Sequence, residues 1–185
     1  MDMIQLGDVT LHYRLEGDPD GAPIVFANSL GTDFRLWDQI LPYLPAGLKI
    51  LRFDKRGHGL SSCPGADYRM DDLVQDTVRL RDALEIRDCL FVGLSIGGII
   101  AQGLAASHPQ LLRAMVISNT AARIGTEAMW RERIDAARAG GIEALADSVM
   151  ERWFSAAYRR QREHELTAWR NMLTRTPHAG YIGCS

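Results

Sequence analysis

Between residues 22 and 118 the chain alternates short, nearly continuous apolar runs with stretches of helical period, and this alternation constrains the fold more than any other feature. "APIVFANS", "LKILRFD", "DCLFVGLS" and "LRAMVISN" are short and mostly unbroken by polar residues, as expected of strands buried on both faces. "DFRLWDQILPYL" places Phe34, Trp37, Ile40, Leu41 and Leu44 at helical spacing, with Thr32 or Asp33 available as N-cap. "MDDLVQDTVRLRDALEI" and "IGGIIAQGLAASHP" continue the helical period. Strands alternating with helices predict an α/β architecture: a mostly parallel sheet, right-handed crossovers and helices on both faces. Ahead of it, residues 3–7 and 10–16 alternate apolar with polar and are joined by Asp8-Val9, which predicts an antiparallel pair.

From about Thr126 the strand pattern stops. "TEAMWRERIDAARAG", "GIEALADSVMERWF" and "YRRQREHELTAWRNMLTRT" all carry apolar residues at helical spacing. The chain therefore divides into a strand-containing core, 1–125, and an all-helical cap, 126–185, with no internal repeat.

Composition removes several classes of function. A chain of 185 residues, 46% hydrophobic and 24% charged, can bury one substantial core. A net charge of −2 offers no basic footprint for nucleic acid or an anionic membrane, so neither partner is expected. The N-terminus lacks a signal-peptide pattern and no segment reaches the ~20 apolar residues of a membrane span, which leads to the expectation of a cytoplasmic protein. Cys63, Cys89 and Cys184 are scattered and odd in number, so three reduced thiols are expected, with Cys89 in a buried strand.

Gly93-Leu94-Ser95-Ile96-Gly97 satisfies G-x-S-x-G and lies between a strand pattern and a helix pattern, the context in which that motif makes a nucleophile elbow. The turn lifts the Ser95 hydroxyl above the sheet, the flanking glycines leave it room, and Gly98 lets the helix pack closely. The competing reading is that Ser95 only caps the helix that follows. An attacking serine also needs donors for the oxyanion it creates. The Ile96 backbone N–H, at a helix N-terminus, is one candidate. The Leu30 N–H, in the Asn28-Ser29-Leu30-Gly31 loop, is the other.

"FANSLGTDFRLWD", "RFDKRGHGLSS" and "GLSIGG", in this order and spacing, resemble the alpha/beta-hydrolase superfamily, and more narrowly the 3-oxoadipate enol-lactonases. The Asn-Ser-Leu-Gly loop and "ISNTAARIG" at 117–125 support the narrower likeness. The resemblance implies an alpha/beta-hydrolase fold with a helical cap, Ser95 as nucleophile, and Leu30 and Ile96 as the oxyanion hole. It implies a small lactone or ester substrate, here 3-oxoadipate enol-lactone in aromatic-compound catabolism, with no cofactor and no metal. His58, in Arg56-Gly57-His58-Gly59, matches a structural block. Because the implied substrate carries a carboxylate, Trp130 and Arg133, three apart on one helix, are the candidate aromatic wall and cationic clamp. Trp153 and Trp169 are expected in the cap core, and Arg159, Arg160 and Arg162 on its solvated face.

The superfamily order places an acid and then a histidine after later strands, and none of the five histidines fits that role. His12 falls in a strand, His108 at a helix end, His164 on a charged helix face; only His178 could face a pocket. Asn119 follows the last strand pattern but is neutral. The expectation is a chain lacking its C-terminal strands, with acid and base supplied by a second polypeptide or lost from this sequence. The alternatives are a carboxylesterase or carbon-carbon bond hydrolase of the same scaffold, and an inactive fragment or non-catalytic binding protein.

Overall fold

The computed structural model describes residues 1–65 and 67–185. Six strands form one sheet: β1 (Asp2–Leu6), β2 (Val9–Gly17), β3 (Ala22–Ala27), β4 (Leu48–Phe53), β5 (Cys89–Leu94) and β6 (Leu112–Ser118), in the spatial order β1-β2-β4-β3-β5-β6. The first two strands pair antiparallel, and β2 runs antiparallel to β4. The β4-β3, β3-β5 and β5-β6 pairs are parallel.

Alternation along β3 distributes its side chains to two faces. Val25 and Ala27 join a cluster with Leu51, Phe53, Phe91, Ile100 and Leu104. Ile24 and Phe26 join Trp37 in a second cluster. The first face is covered by α1 (Met70–Ala83) and α2 (Ile96–Ser107). Helix α1 buries Leu73, Val74, Thr77 and Val78, the i, i+1, i+4, i+5 stripe of an amphipathic helix, and Asp72 accepts from the Arg69 N–H at 2.7 Å to close its first turn.

The second face is covered differently from the sequence expectation. The segment 33–44 is not one helix but two short 3-10 turns, Phe34–Trp37 and Leu41–Tyr43. Pro42 lacks the N–H that would continue an i→i−4 ladder back to Asp38, and its ring would crowd that carbonyl. Ile40 is consequently 41% exposed and Tyr43 85% exposed, while Phe34 and Trp37 are buried. Asp33 caps the first turn by accepting from the Arg35 N–H, and the Thr32 hydroxyl donates to the Ser29 carbonyl instead.

The five remaining helices are α3 (Glu127–Gly140), α4 (Glu143–Trp153), α5 (Ala156–Gln161), α6 (Glu163–Thr174) and α7 (His178–Gly183). The single helical stretch expected after Tyr158 is split at Arg162 into α5 and α6. Phe154 stacks on Tyr158 at 4.7 Å and packs on Trp169 at 5.7 Å, which forms the aromatic centre of this layer. Its far end reaches the sheet loops: Gly183 accepts from the Tyr68 N–H, and a Cβ on Gly57 would fall 2.4 Å from Gly180 Cα.

Strand β6 is one edge of the sheet, opposite β1, and among the described residues pairs only with β5. Met115, Val116 and Ile117 on it are 41%, 50% and 42% exposed, so this edge presents apolar side chains on both faces.

Candidate active site

Ser95 is the residue between β5 and α2, and its backbone is strained, with φ 57° and ψ −117°. Tertiary contacts hold it there. Its N–H donates to the Ser118 carbonyl at 2.9 Å. Its carbonyl accepts from the Gly98 N–H (2.9 Å), the Ile99 N–H (3.2 Å) and the Thr120 hydroxyl (2.8 Å).

The glycines are required by close approach. A Cβ on Gly93 would lie 2.2 Å from the Gly97 carbonyl oxygen, one on Gly97 would lie 2.1 Å from that of Ala27, and one on Gly98 would meet Thr120 Cγ2 at 2.6 Å. Each contact is with backbone or a stiff β-branched side chain, so none can be relieved by a rotamer change. The Ser95 side chain makes no capping hydrogen bond to α2, which overturns the helix-cap alternative. This hydroxyl is part-exposed and uncommitted.

The loop Asn28-Ser29-Leu30-Gly31 leaves the end of β3 beside the elbow, since Gly97 packs on Ala27. Groups from elsewhere in the chain bond several of its polar groups. Asn28 donates from Nδ2 to the Phe53 carbonyl (3.1 Å) and accepts the Trp37 indole N–H at Oδ1 (2.8 Å). The Ser29 carbonyl accepts from Lys55 Nζ (2.6 Å) and the Thr32 hydroxyl (2.9 Å). The Gly31 N–H donates to His58 Nε2 (3.0 Å). Among the described residues the Leu30 and Ile96 amide N–H groups donate to no protein acceptor. Both follow a carbonyl that is held firmly, Ser29 and Ser95 respectively, and in a trans peptide the N–H points opposite that carbonyl.

His58 is completely buried and has both ring nitrogens occupied: Nε2 accepts from Gly31 and Nδ1 donates to the Arg56 carbonyl at 3.2 Å. Burial, and then the neighbouring Lys55 charge, hold its pKa well below the ordinary histidine range, so the ring is neutral. It shapes the loop and has no lone pair left to serve as a base. The loop is anchored from beneath by a bidentate Arg56–Asp76 pair, Nε to Oδ2 at 2.6 Å and the second guanidinium nitrogen to Oδ1 at 2.8 Å. Asp54 accepts from the Phe34 N–H (2.7 Å), the Leu60 N–H (3.1 Å) and the His12 ring (2.8 Å), and a Cβ on Gly59 would sit 2.1 Å from its Oδ2.

The other histidines are accounted for elsewhere. His178 meets the Ala137 carbonyl through Nε2 (2.7 Å) and so ties α7 to α3, and His108 pairs with the Ser107 hydroxyl. His164 lies on the exposed side of α6. Among the described residues no histidine hydrogen-bonds to Ser95, and no group of three or more His, Cys, Asp or Glu side chains could hold a metal ion.

On α3, the Trp130 indole N–H donates to the Ile124 carbonyl at 2.6 Å, which fixes the ring. The Arg133 guanidinium stands 5.4 Å from the Trp130 ring centre and 5.7 Å from that of Tyr181 on α7. Its Nε is buried without a partner, as is the Tyr181 hydroxyl oxygen, and burial lowers the Arg133 pKa. Tyr181 was not among the residues singled out by sequence, and only the packing of α7 on α3 brings it here. Two clefts, of about 320 and 370 Å³, are lined by neither this pair nor Ser95; the larger lies between His12, Phe34 and Asp54 on one side and Met172 of α6 and the following Arg175 on the other.

A six-stranded, mostly parallel sheet that presents a strained serine between two glycines at a strand-to-helix turn defines the alpha/beta hydrolases. The model for the alpha/beta hydrolase fold matches residues 22–141, and the chain belongs to this family. It is 33% identical over 183 residues to 3-oxoadipate enol-lactonase 2 of Acinetobacter baylyi, spanning 99% of this chain and 68% of that one. It is 32% identical over 172 residues to 3-oxoadipate enol-lactonase 1 of the same organism, spanning 93% and 64%. The crystal structure of the enol-lactonase from Burkholderia xenovorans LB400 superposes with a TM-score of 0.95 at 37% identity, covering 99% of this chain and 72% of that one. The chain thus spans about two thirds of the length of these relatives. No helix among the described residues is long and apolar enough to cross a membrane.

Proposed function

We propose that this chain carries the nucleophile and oxyanion hole of a serine hydrolase that opens an enol-lactone, 3-oxoadipate enol-lactone or a close analogue, to the oxo-acid. The observation that carries the reading is the uncommitted Ser95 hydroxyl on a strained elbow, with the neighbouring Leu30 and Ile96 amides free of protein acceptors. The likeness to two enol-lactonases supports the substrate class.

In this mechanism Ser95 Oγ attacks the lactone carbonyl carbon as a histidine takes the hydroxyl proton. The carbonyl oxygen becomes an oxyanion held by the Leu30 and Ile96 N–H groups. The ring C–O bond breaks, the histidine returns its proton to the departing enol oxygen, and the product end stays attached to Ser95 as an ester. Water, deprotonated by the same histidine, hydrolyses that ester, and the enol tautomerises to the ketone. No step calls for a metal or organic cofactor. Arg133, with an unpartnered buried Nε between Trp130 and Tyr181, is the proposed partner of the substrate carboxylate.

The five histidines of this chain are placed elsewhere, so the acid and base are proposed to come from outside residues 1–185. The exposed β6 edge, with Met115, Val116 and Ile117, is the proposed seat of the polypeptide that brings them. The test, made on this chain together with the polypeptide that supplies the acid and histidine, is covalent labelling by an aryl fluorophosphonate, read by intact mass, with turnover of an enol-lactone and of an aryl ester. One label, lost in Ser95→Ala, with faster lactone turnover is the expected outcome. A label that persists in Ser95→Ala refutes the nucleophile, and ester-only turnover refutes the lactone assignment.

A further inference from the structure

We infer that Lys55 is a positioning residue for the oxyanion hole: its ammonium grips the Ser29 carbonyl and thereby aims and polarises the Leu30 N–H on the other side of the same peptide. This rests on the reading of Leu30 as an oxyanion donor. The geometry is specific. Lys55 is 3% exposed, and its Nζ lies 2.6 Å from the Ser29 oxygen. Ser29 C=O and Leu30 N–H belong to one planar trans unit, so a cation on the oxygen both sets the plane and draws electron density from the nitrogen.

A helix performs the same service for the other donor. The Ser95 carbonyl is held by the Gly98 and Ile99 amides and the Thr120 hydroxyl, which fixes the Ile96 N–H at the positive end of α2. The loop after β3 leads into only a short 3-10 turn, Phe34–Trp37, four residues beyond Leu30, so a full charge delivered from β4's end takes the place of the helix. Enclosed at the end of a strand without a carboxylate bonded to its nitrogen, Lys55 offsets its lost hydration through the Ser29 carbonyl and the nearby Asp54 and Asp33 charges.

The arrangement makes the donor pH-dependent. Burial lowers the Lys55 pKa to about 8. The titratable groups around it are Cys184 after α7, Asp54, Asp33 and His58. Burial pushes the Cys184 thiol up to about 11, and the neutral His58 titrates far below the ordinary range, so Lys55 is the member of this group that changes charge between pH 7 and 9. Polarisation of the Leu30 amide is present below about pH 8 and lost above it.

Two measurements test the inference. The first needs no catalysis: the Leu30 backbone 15N and 1H shifts are followed by NMR from pH 7 to 9.5 in the native chain and in Lys55→Met. A titration centred near pH 8 in the native chain, flat in the variant, is expected; a flat native profile overturns the inference, even if the variant fails to fold. The second is the rate at which the aryl fluorophosphonate phosphonylates Ser95 in the complex with the histidine-bearing polypeptide, a reaction whose P=O oxygen occupies the oxyanion position while fluoride leaves and the serine proton passes to that histidine. Lys55→Met should slow this about tenfold, less than the ~100-fold or more lost with a whole donor. Equal rates overturn the inference. A native complex that takes no label at Ser95 refutes the nucleophile reading instead, and the amide titration still decides the role of Lys55.

Discussion

The elbow at residues 93–98 and the loop at 28–32 present the same kind of group, a peptide N–H facing away from a firmly held carbonyl, and they reach it by opposite means. The elbow is built from backbone: a positive φ at Ser95, three glycines in contact with main chain or with Thr120, and a helix N-terminus. The loop is built from side chains that arrive from elsewhere: Lys55 and His58 from the loop after β4, and Thr32 from its own end. Backbone construction is local and stiff, whereas side-chain construction is assembled only when the sheet has formed, and it carries titratable groups. The first should respond to added volume and be indifferent to pH. The second should respond to both.

The largest expected effect is on the elbow. Gly97→Ala places a methyl 2.1 Å from the Ala27 carbonyl oxygen, and backbone must move to admit it. A loss of about 3 kcal/mol of stability is expected from such overpacking, measured as the urea midpoint. A loss below 1 kcal/mol would show that the two segments slide past each other and that the elbow is softer than its contacts imply.

The next effect sharpens the pH contrast. His58→Gln keeps an acceptor for the Gly31 N–H but loses the packed ring, and should destabilise by about 2 kcal/mol. Because the folded state holds His58 neutral while the unfolded chain takes up a proton near pH 6.5, native stability is intact above that value and falls as pH drops below it. The slope attributable to this one proton is up to about 1.4 kcal/mol per pH unit. Denaturant melts between pH 5 and 7.5 should show it as the difference between native chain and variant. A constant difference across that range would mean that His58 is protonated inside the fold.

The smallest effect has the opposite sign. Ser95→Gly relieves a φ of 57° that glycine adopts freely. Relief of about 1–3 kcal/mol of strain, less the ~0.5–1 kcal/mol entropic disadvantage of glycine, should leave the variant about 1 kcal/mol more stable than the native chain. Unchanged or reduced stability would locate the strain elsewhere than at Ser95.

Particular residues show how much was legible in advance. Glycine 93, serine 95 and glycine 97 announced the elbow because strand, turn and helix adjoin in the chain, and their steric demands are local. The segment 33–44 misled because apolar spacing outweighed one proline, and Pro42 decided the outcome in favour of two 3-10 turns. Lys55 has a signal in the sequence, a lysine inside "DKRGH" directly after an apolar strand. Tyr181 carried none, since its meeting with Arg133 depends on α7 folding back onto α3.

By itself the sequence determined the alternation of strands and helices and the place of the Gly93–Gly97 turn between strand and helix, consequences of period and sterics within a dozen residues or so. Only the tertiary structure decided that His58 serves the Gly31 amide, that Lys55 ends at the Ser29 carbonyl, that Arg133 lies between two aromatic rings, and that β6 stands as an apolar edge. Those depend on which distant groups the folded sheet brings within hydrogen-bond reach, a matter of long-range packing that no local pattern encodes.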